Sequence, residues 1–173
     1  MTTKTGGLRI GLAVATFMAL APAVQAQQAT ELGTFNAWSA YTATDASGPI
    51  CFIIGEPTRS EPAGVNRGEI KFLIVHRKGM NSKNEAQSQV GYPLNTTDAK
   101  ASVSVDGRSY TMAGRDQTVW LASSGDEAGF VTAFKAGSQM VVRGTSQRGT
   151  DTVDTYSLSG ATAAMNAIDA ACQ

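Results

Sequence analysis

The stretch that decides the fold is the last one: Thr145-Ser-Gln-Arg-Gly-Thr-Asp-Thr-Val-Asp-Thr-Tyr-Ser-Leu-Ser-Gly160, followed by an Ala-rich run ending in Cys172. It reads as a hairpin feeding an amphipathic helix. Strands are expected over Gln139 to Arg143 and Val153 to Leu158, turned near Arg148-Gly149. Ser159 is placed to cap the helix. Ala161, Ala164, Met165, Ile168 and Cys172 then recur at i, i+3, i+4, i+7 and i+11, one apolar stripe. The face that this stripe buries also points Cys172 inward.

Working back from there, the chain is short β segments with turn punctuation. Thr34 to Tyr41 alternates around Trp38, and Ile50 to Ile54 is an apolar run between Gly48-Pro49 and Gly55-Glu56-Pro57. Ile70 to Val75 is the strongest strand; both of its faces are apolar, which predicts a central, doubly covered position. Gln87 to Tyr92 is weaker and ends at Pro93. Ala101 to Val105 and Arg108 to Met112 flank Asp106-Gly107, the dipeptide that favours a two-residue type I′ hairpin. Thr118 to Leu121 is another short strand. Ser124 to Gly137 changes period: acids open it, Lys135 and Gly137 close it, with Gly137 expected in the left-handed region, and Phe130, Val131 and Phe134 share a face. This predicts a short helix. Pro57 to Gly68 and Lys78 to Ala86 read as exposed loops. About eight short strands with two short helices predict an antiparallel β-sandwich.

The first 26 residues read as a secretory signal. Lys4 and Arg9 supply the positive start, Ile10 to Ala21 the apolar run, and Val24-Gln25-Ala26 the small residues of a cleavage site after Ala26. The run is shorter than the roughly 20 apolar residues of a membrane span. The remaining residues, 27–173, number 147 and suit one domain. The signal takes two of the 14 Lys and Arg and none of the 14 Asp and Glu, leaving 12 against 14, a net charge of −2. That argues against nucleic acid as a partner and against a polybasic membrane patch.

Cys51 and Cys172 are the only cysteines, and both lie in the part expected to be exported. An even count in an oxidising compartment reads as one disulfide. It would close a loop of 121 residues, which the chain-entropy account values at about 4–5 kcal/mol. The alternatives are a metal or redox pair; there is no C-x-x-C, and His76 is near neither cysteine in sequence.

A catalytic set is not visible. Gly144 to Gly149 is one residue off a G-x-S-x-G elbow, and it falls in the expected hairpin, where turn chemistry accounts for it. His76 is the only imidazole and ends the strongest strand, which reads as a structural position. Asp151 and Asp154 with Thr150, Thr152 and Thr155 lack the order of a calcium loop and read as exposed turn and strand-edge residues. Arg143 and Arg148 are placed to pair with those aspartates at the surface. No phosphate-cradling or dinucleotide motif occurs. Trp38, Tyr92, Tyr110, Trp120 and Tyr156 read as core or sheet residues. No cofactor or metal is indicated.

Taken in order, several pieces resemble the invasion-associated locus B family of bacterial secreted proteins. They are Phe35-Asn-Ala-Trp38, Cys51-Phe-Ile, Gly91-Tyr92, Val103-Ser-Val-Asp-Gly107, Trp120, Phe134-Lys-Ala-Gly137, Gly144-Thr-Ser-Gln-Arg-Gly149, and Asp154-Thr-Tyr-Ser-Leu-Ser-Gly160 leading to Cys172. Some relatives have a further Cys after the first Trp; Ser39-Ala40-Tyr41 stands there here, so the chain resembles the two-cysteine form. The resemblance implies a sandwich of immunoglobulin-like class, export to the periplasm or outer surface, and, in some pathogens, a link to host-cell invasion. It implies no reaction, and Cys51 and Cys172 are the only residues it assigns. The expectation is an exported, envelope-associated binding or accessory protein, not an enzyme, with an unidentified envelope or host-surface partner. The alternatives are an enzyme with a loop-built site and an envelope-stability factor.

Overall fold

A computed structural model describes residues 1–2, 28–95 and 101–173. The expected signal lies, but for its first two residues, outside the described residues, as does its cleavage point. The described strands are β1 (Thr30–Phe35), β2 (Trp38–Asp45), β3 (Gly48–Gly55), β4 (Arg59–Glu61), β5 (Lys71–Arg77), β6 (Ser82–Gln89), β7 (Ala101–Val105), β8 (Arg108–Arg115), β9 (Thr118–Leu121), β10 (Gln139–Thr145) and β11 (Asp151–Ser157). Helix α1 (Glu127–Ala136) precedes β10, and α2 (Ala161–Ala171) follows β11.

All strand pairs are antiparallel, and they form one ladder in the order β1-β2-β3-β5-β6-β9-β8-β7-β10-β11-β4. That ladder cannot be flat. β5 and β11 stand six places apart, which at about 4.8 Å per strand is roughly 29 Å. Yet the rings of Phe72 on β5 and Tyr156 on β11 have centroids 6.1 Å apart. Trp38 on β2 likewise donates from Nε1 to the Ser157 carbonyl of β11 at 2.9 Å. The sheet therefore folds over on itself, and the three-residue pairing Gln87–Gln89 with Thr118–Trp120 joins the two leaves. The protein is sandwich-like in packing and a single ladder in hydrogen bonding.

The interior between the leaves is aromatic. Trp38, Phe72, Phe130, Phe134 and Tyr156 are each 1% exposed or less, with edge and stacked ring contacts of 4.9–6.4 Å. α1 supplies Phe130 and Phe134, as its spacing predicts. Gly55 is the neighbour that makes room for Trp38: a Cβ there would stand 2.7 Å from the indole ring. Every member of the predicted α2 stripe is buried, from Ala161 to Cys172. Cys51 and Cys172 are bonded to each other, Cα to Cα 6.0 Å, so α2 is tied to β3 in the middle of one leaf.

Five local expectations are corrected. Thr34 to Tyr41 is not one strand; Asn36 takes φ 52° and turns the chain between β1 and β2. Pro57 to Gly68 is not wholly loop, because β4 pairs with β11 through Arg59 to Glu61. Lys78 to Ala86 is mostly strand: β6 begins at Ser82, with a bulge opposite His76 that polar residues and Asn84 at φ 64° disguise. Gly137 is extended (φ −81°, ψ 169°), not left-handed; Val105 and the Ala133 carbonyl lie where its side chain would be. Ser159 does not cap α2; Gly160 occupies that position at φ 88°, and the Ser159 hydroxyl accepts from Asn36. The Asp106-Gly107 turn forms as expected, with φ of 45° and 90°.

Candidate functional site

Along β11 the inward face is set by alternation: Thr152, Asp154 and Tyr156 all point into the protein. Tyr156 is a core residue, so the same register forces a carboxylate inside. Asp154 is 1% exposed and Thr152 3% exposed, which overturns their reading as exposed turn residues. The charge is answered by Arg67, from the loop between β4 and β5. Its guanidinium donates to Asp154 Oδ1 and Oδ2 at 2.8 and 2.7 Å, a two-pronged pair. Two further donors, from Nε and Nη2, go to the Val90 carbonyl at 3.1 and 2.7 Å. Arg67 also lies over the Tyr92 ring, 5.0 Å from its centroid. Arg143 and Arg148, expected to pair with the aspartates, are exposed and do not; Asp151 instead accepts from Thr145 Oγ1 at 2.7 Å.

Arg67, though not Asp154, lines an open cleft of about 320 Å³. One wall is Val65 to Arg67, the other the β10–β11 turn from Ser146 to Thr150, and Tyr92, Pro93 and Thr152 line the rest. The Tyr92 hydroxyl is 2.6 Å from Thr152 Oγ1, which donates to the Gly144 carbonyl at 3.3 Å. Burial pushes the Tyr92 phenol up, beyond what the Thr152 hydrogen bond and the Arg67 charge pull back. It is therefore a neutral donor into a short hydroxyl chain. Gly144 allows this: a side chain there would meet the Tyr92 oxygen at 2.7 Å. Gly91-Tyr92 and Gly144 to Gly149, widely separated in sequence, thus meet at one place.

A second cluster surrounds the disulfide. His76 sits directly across the β3–β5 ladder from Cys51, although the two are far apart in sequence. It is 1% exposed, and both ring nitrogens are engaged. Nδ1 accepts from the Asn84 backbone N–H at 3.1 Å, a donor that the β6 bulge leaves outside the ladder. That fixes the proton on Nε2, which faces Asp169 Oδ1 at 2.9 Å. Asp169 also accepts from Lys135 Nζ at 3.0 Å. Burial raises the Asp169 carboxyl, but the His76 and Lys135 hydrogen bonds and the Lys135 charge outweigh it, and it lies below the usual carboxylate range. The cluster ties β5, α1 and α2 together around the disulfide. Among the described residues no group of three His, Cys, Asp or Glu side chains is placed to hold a metal ion. No helix among them is long and apolar enough to cross a membrane.

The architecture defines a class: a mainly antiparallel β protein, folded over an aromatic core, with its C-terminal helix stapled to a central strand. Within that class the chain belongs to the invasion associated locus B family, whose model matches residues 38–169. The fold is shared with a solved structure, invasion associated protein B from Bartonella henselae: TM-score 0.52, 16% identity, 80% of this chain and 96% of that one covered. Comparison with curated proteins gives no match. The family and fold are not known as enzymatic.

Proposed function

We propose that this chain is an exported, envelope-associated binding or accessory module that engages its partner through the cleft at Arg67, Tyr92 and Arg148, and that it is not an enzyme. The observation that carries the reading is the fate of the histidine. An acyl- or phosphoryl-transfer site at neutral pH needs a base free to take a proton. The one imidazole of the chain is buried, fixed as one tautomer, and bound at both nitrogens to structural partners. The cleft, by contrast, combines exposed amide, hydroxyl and guanidinium groups, an arrangement suited to binding. Export is supported by the N-terminal pattern of charge, apolar run and small residues, and by a disulfide that needs an oxidising compartment to persist.

The test is affinity capture from an envelope fraction with the folded, oxidised domain, beside an Arg148→Glu variant. Retention of a defined component by the former and not the latter is the expected result. Failure to retain any component counts against a binding role. A broad hydrolase screen with His76→Ala as comparison addresses the enzymatic alternative; an activity abolished by that change, with the fold intact, overturns the proposal.

A further inference from the structure

Resting on the binding role proposed above, we infer that the cleft between Val65–Arg67 and the β10–β11 turn takes a saccharide bearing a carboxylate. The groups left without partners in the cleft decide the ligand's chemistry. Arg67 is largely spent: Asp154 and the Val90 carbonyl take four of its five N–H donors. Arg148, on the rim, is exposed and makes no ion pair or hydrogen bond through its side chain among the described residues. Asn66, Gln147 and Thr150 present exposed amides and a hydroxyl to the same space.

The turn wall gives little purchase to the commonest rival, a peptide. A peptide captured in extended form pairs its main chain with a free strand edge. Here most of the turn's main-chain N–H groups are already taken. Ser146 N–H bonds Thr150 O at 2.9 Å, Gly149 N–H bonds Ser146 O at 2.8 Å, and Gln147 N–H bonds Pro93 O at 2.9 Å. Thr150 N–H is taken by Ser146 Oγ at 3.1 Å. Recognition therefore falls to side chains. Amides and hydroxyls, each both donor and acceptor, match the hydroxyls of a sugar ring. The planar fork of Arg148 matches a carboxylate on two bonds. A phosphate ligand is less suited, since no helix N-terminus of the described residues lines the cleft. At about 320 Å³ the cleft is at the small end of ligand sites, the scale of one or two rings.

The probe is digalacturonate, titrated into the full oxidised domain by calorimetry and by amide chemical-shift mapping. Its methyl ester serves as the neutral control. Saturable binding is expected, with shifts confined to the cleft walls and weakened at least tenfold by esterification. Arg148→Gln should weaken it by about tenfold to a hundredfold, the scale of a lost charge-assisted pair. Arg143→Gln, an exposed arginine on β10 that does not line the cleft, should leave it unchanged and serves as the folding and charge control. No saturable binding overturns the assignment of ligand class, as does equal binding of the ester. Binding indifferent to Arg148→Gln overturns the assignment of site. Neither result touches envelope capture by the domain, so this inference can fail while the binding role stands.

Discussion

The Arg67–Asp154 pair lends itself to a quantitative test. Both side chains are removed from water, 6% and 1% exposed. Replacing Arg67 with Met keeps the length of the side chain and removes the charge, stranding Asp154 on a strand that cannot turn outward. Breaking a buried pair from one side costs about 3–5 kcal/mol, because the surviving charge keeps its desolvation penalty. The Val90 carbonyl also loses its two donors. Against a total stability of about 5–15 kcal/mol for a domain of this kind, that is a large loss, and it should lower Tm by roughly 10 °C. Asp154→Leu should cost less, since Arg67 sits on a loop and can swing into the cleft and solvent. The double variant, Arg67→Met with Asp154→Leu, should recover most of the loss, as two apolar side chains replace two charges. Urea unfolding of the four proteins gives the coupling energy directly. The exposed pair Arg59–Glu61, with 71% and 47% exposure, supplies the contrast and should contribute under about 1 kcal/mol. A cost below about 1 kcal/mol for Arg67→Met, or a double variant equal to the sum of the singles, would refute the argument.

Three further outcomes are expected. Cys51→Ser and Cys172→Ser should each cost about 2–5 kcal/mol in chemical unfolding, and the double change no more than either alone, because each destroys the same bond; additive costs would disprove the pairing. Gly160→Ala should destabilise by about 2 kcal/mol or more, since φ is 88° and the Phe35 carbonyl occupies the space a Cβ needs; a thermal scan unchanged from the parent would contradict this. The Asp169 carboxyl lies below its ordinary value when folded. Its stabilising contribution is therefore complete above the unfolded value near 4 and is lost as pH falls through the folded one. Asp169→Asn should flatten the acid limb of the stability–pH curve; an unchanged limb would rule out the Asp169 contribution.

Legibility from sequence followed the strength of the local pattern. The α2 stripe, the Phe130–Phe134 face and the Asp106-Gly107 turn were readable because each is specified within a dozen residues by period or by turn chemistry. β6 was not, because its residues, Ser82 to Gln89, are largely polar and its bulge breaks the alternation. β4 was missed because three residues carry no period and its pairing with β11 spans some 95 positions. The cleft was half-legible. Thr152, Asp154 and Tyr156 share one face of a strand, and an aromatic core residue in that register implies a buried acid. What no local pattern states is which cation answers it, since Arg67 arrives from a loop with no periodicity of its own. His76, read as a structural strand-end residue, is buried, and its place beside the disulfide follows from strand pairing alone.

The disulfide has a mechanical consequence. A pull applied between residue 28 and the C-terminus runs through only the first strands of the domain. It passes along residues 28–51, crosses the sulfur bridge, and leaves at residue 173. Everything from Phe52 to Ala171, the cleft included, sits in a covalent ring that the tension bypasses. At about 3.5 Å per residue, the oxidised chain can lengthen to roughly 90 Å, while the reduced chain can reach roughly 500 Å. The cleft thus keeps its shape while tension between the two ends passes it by.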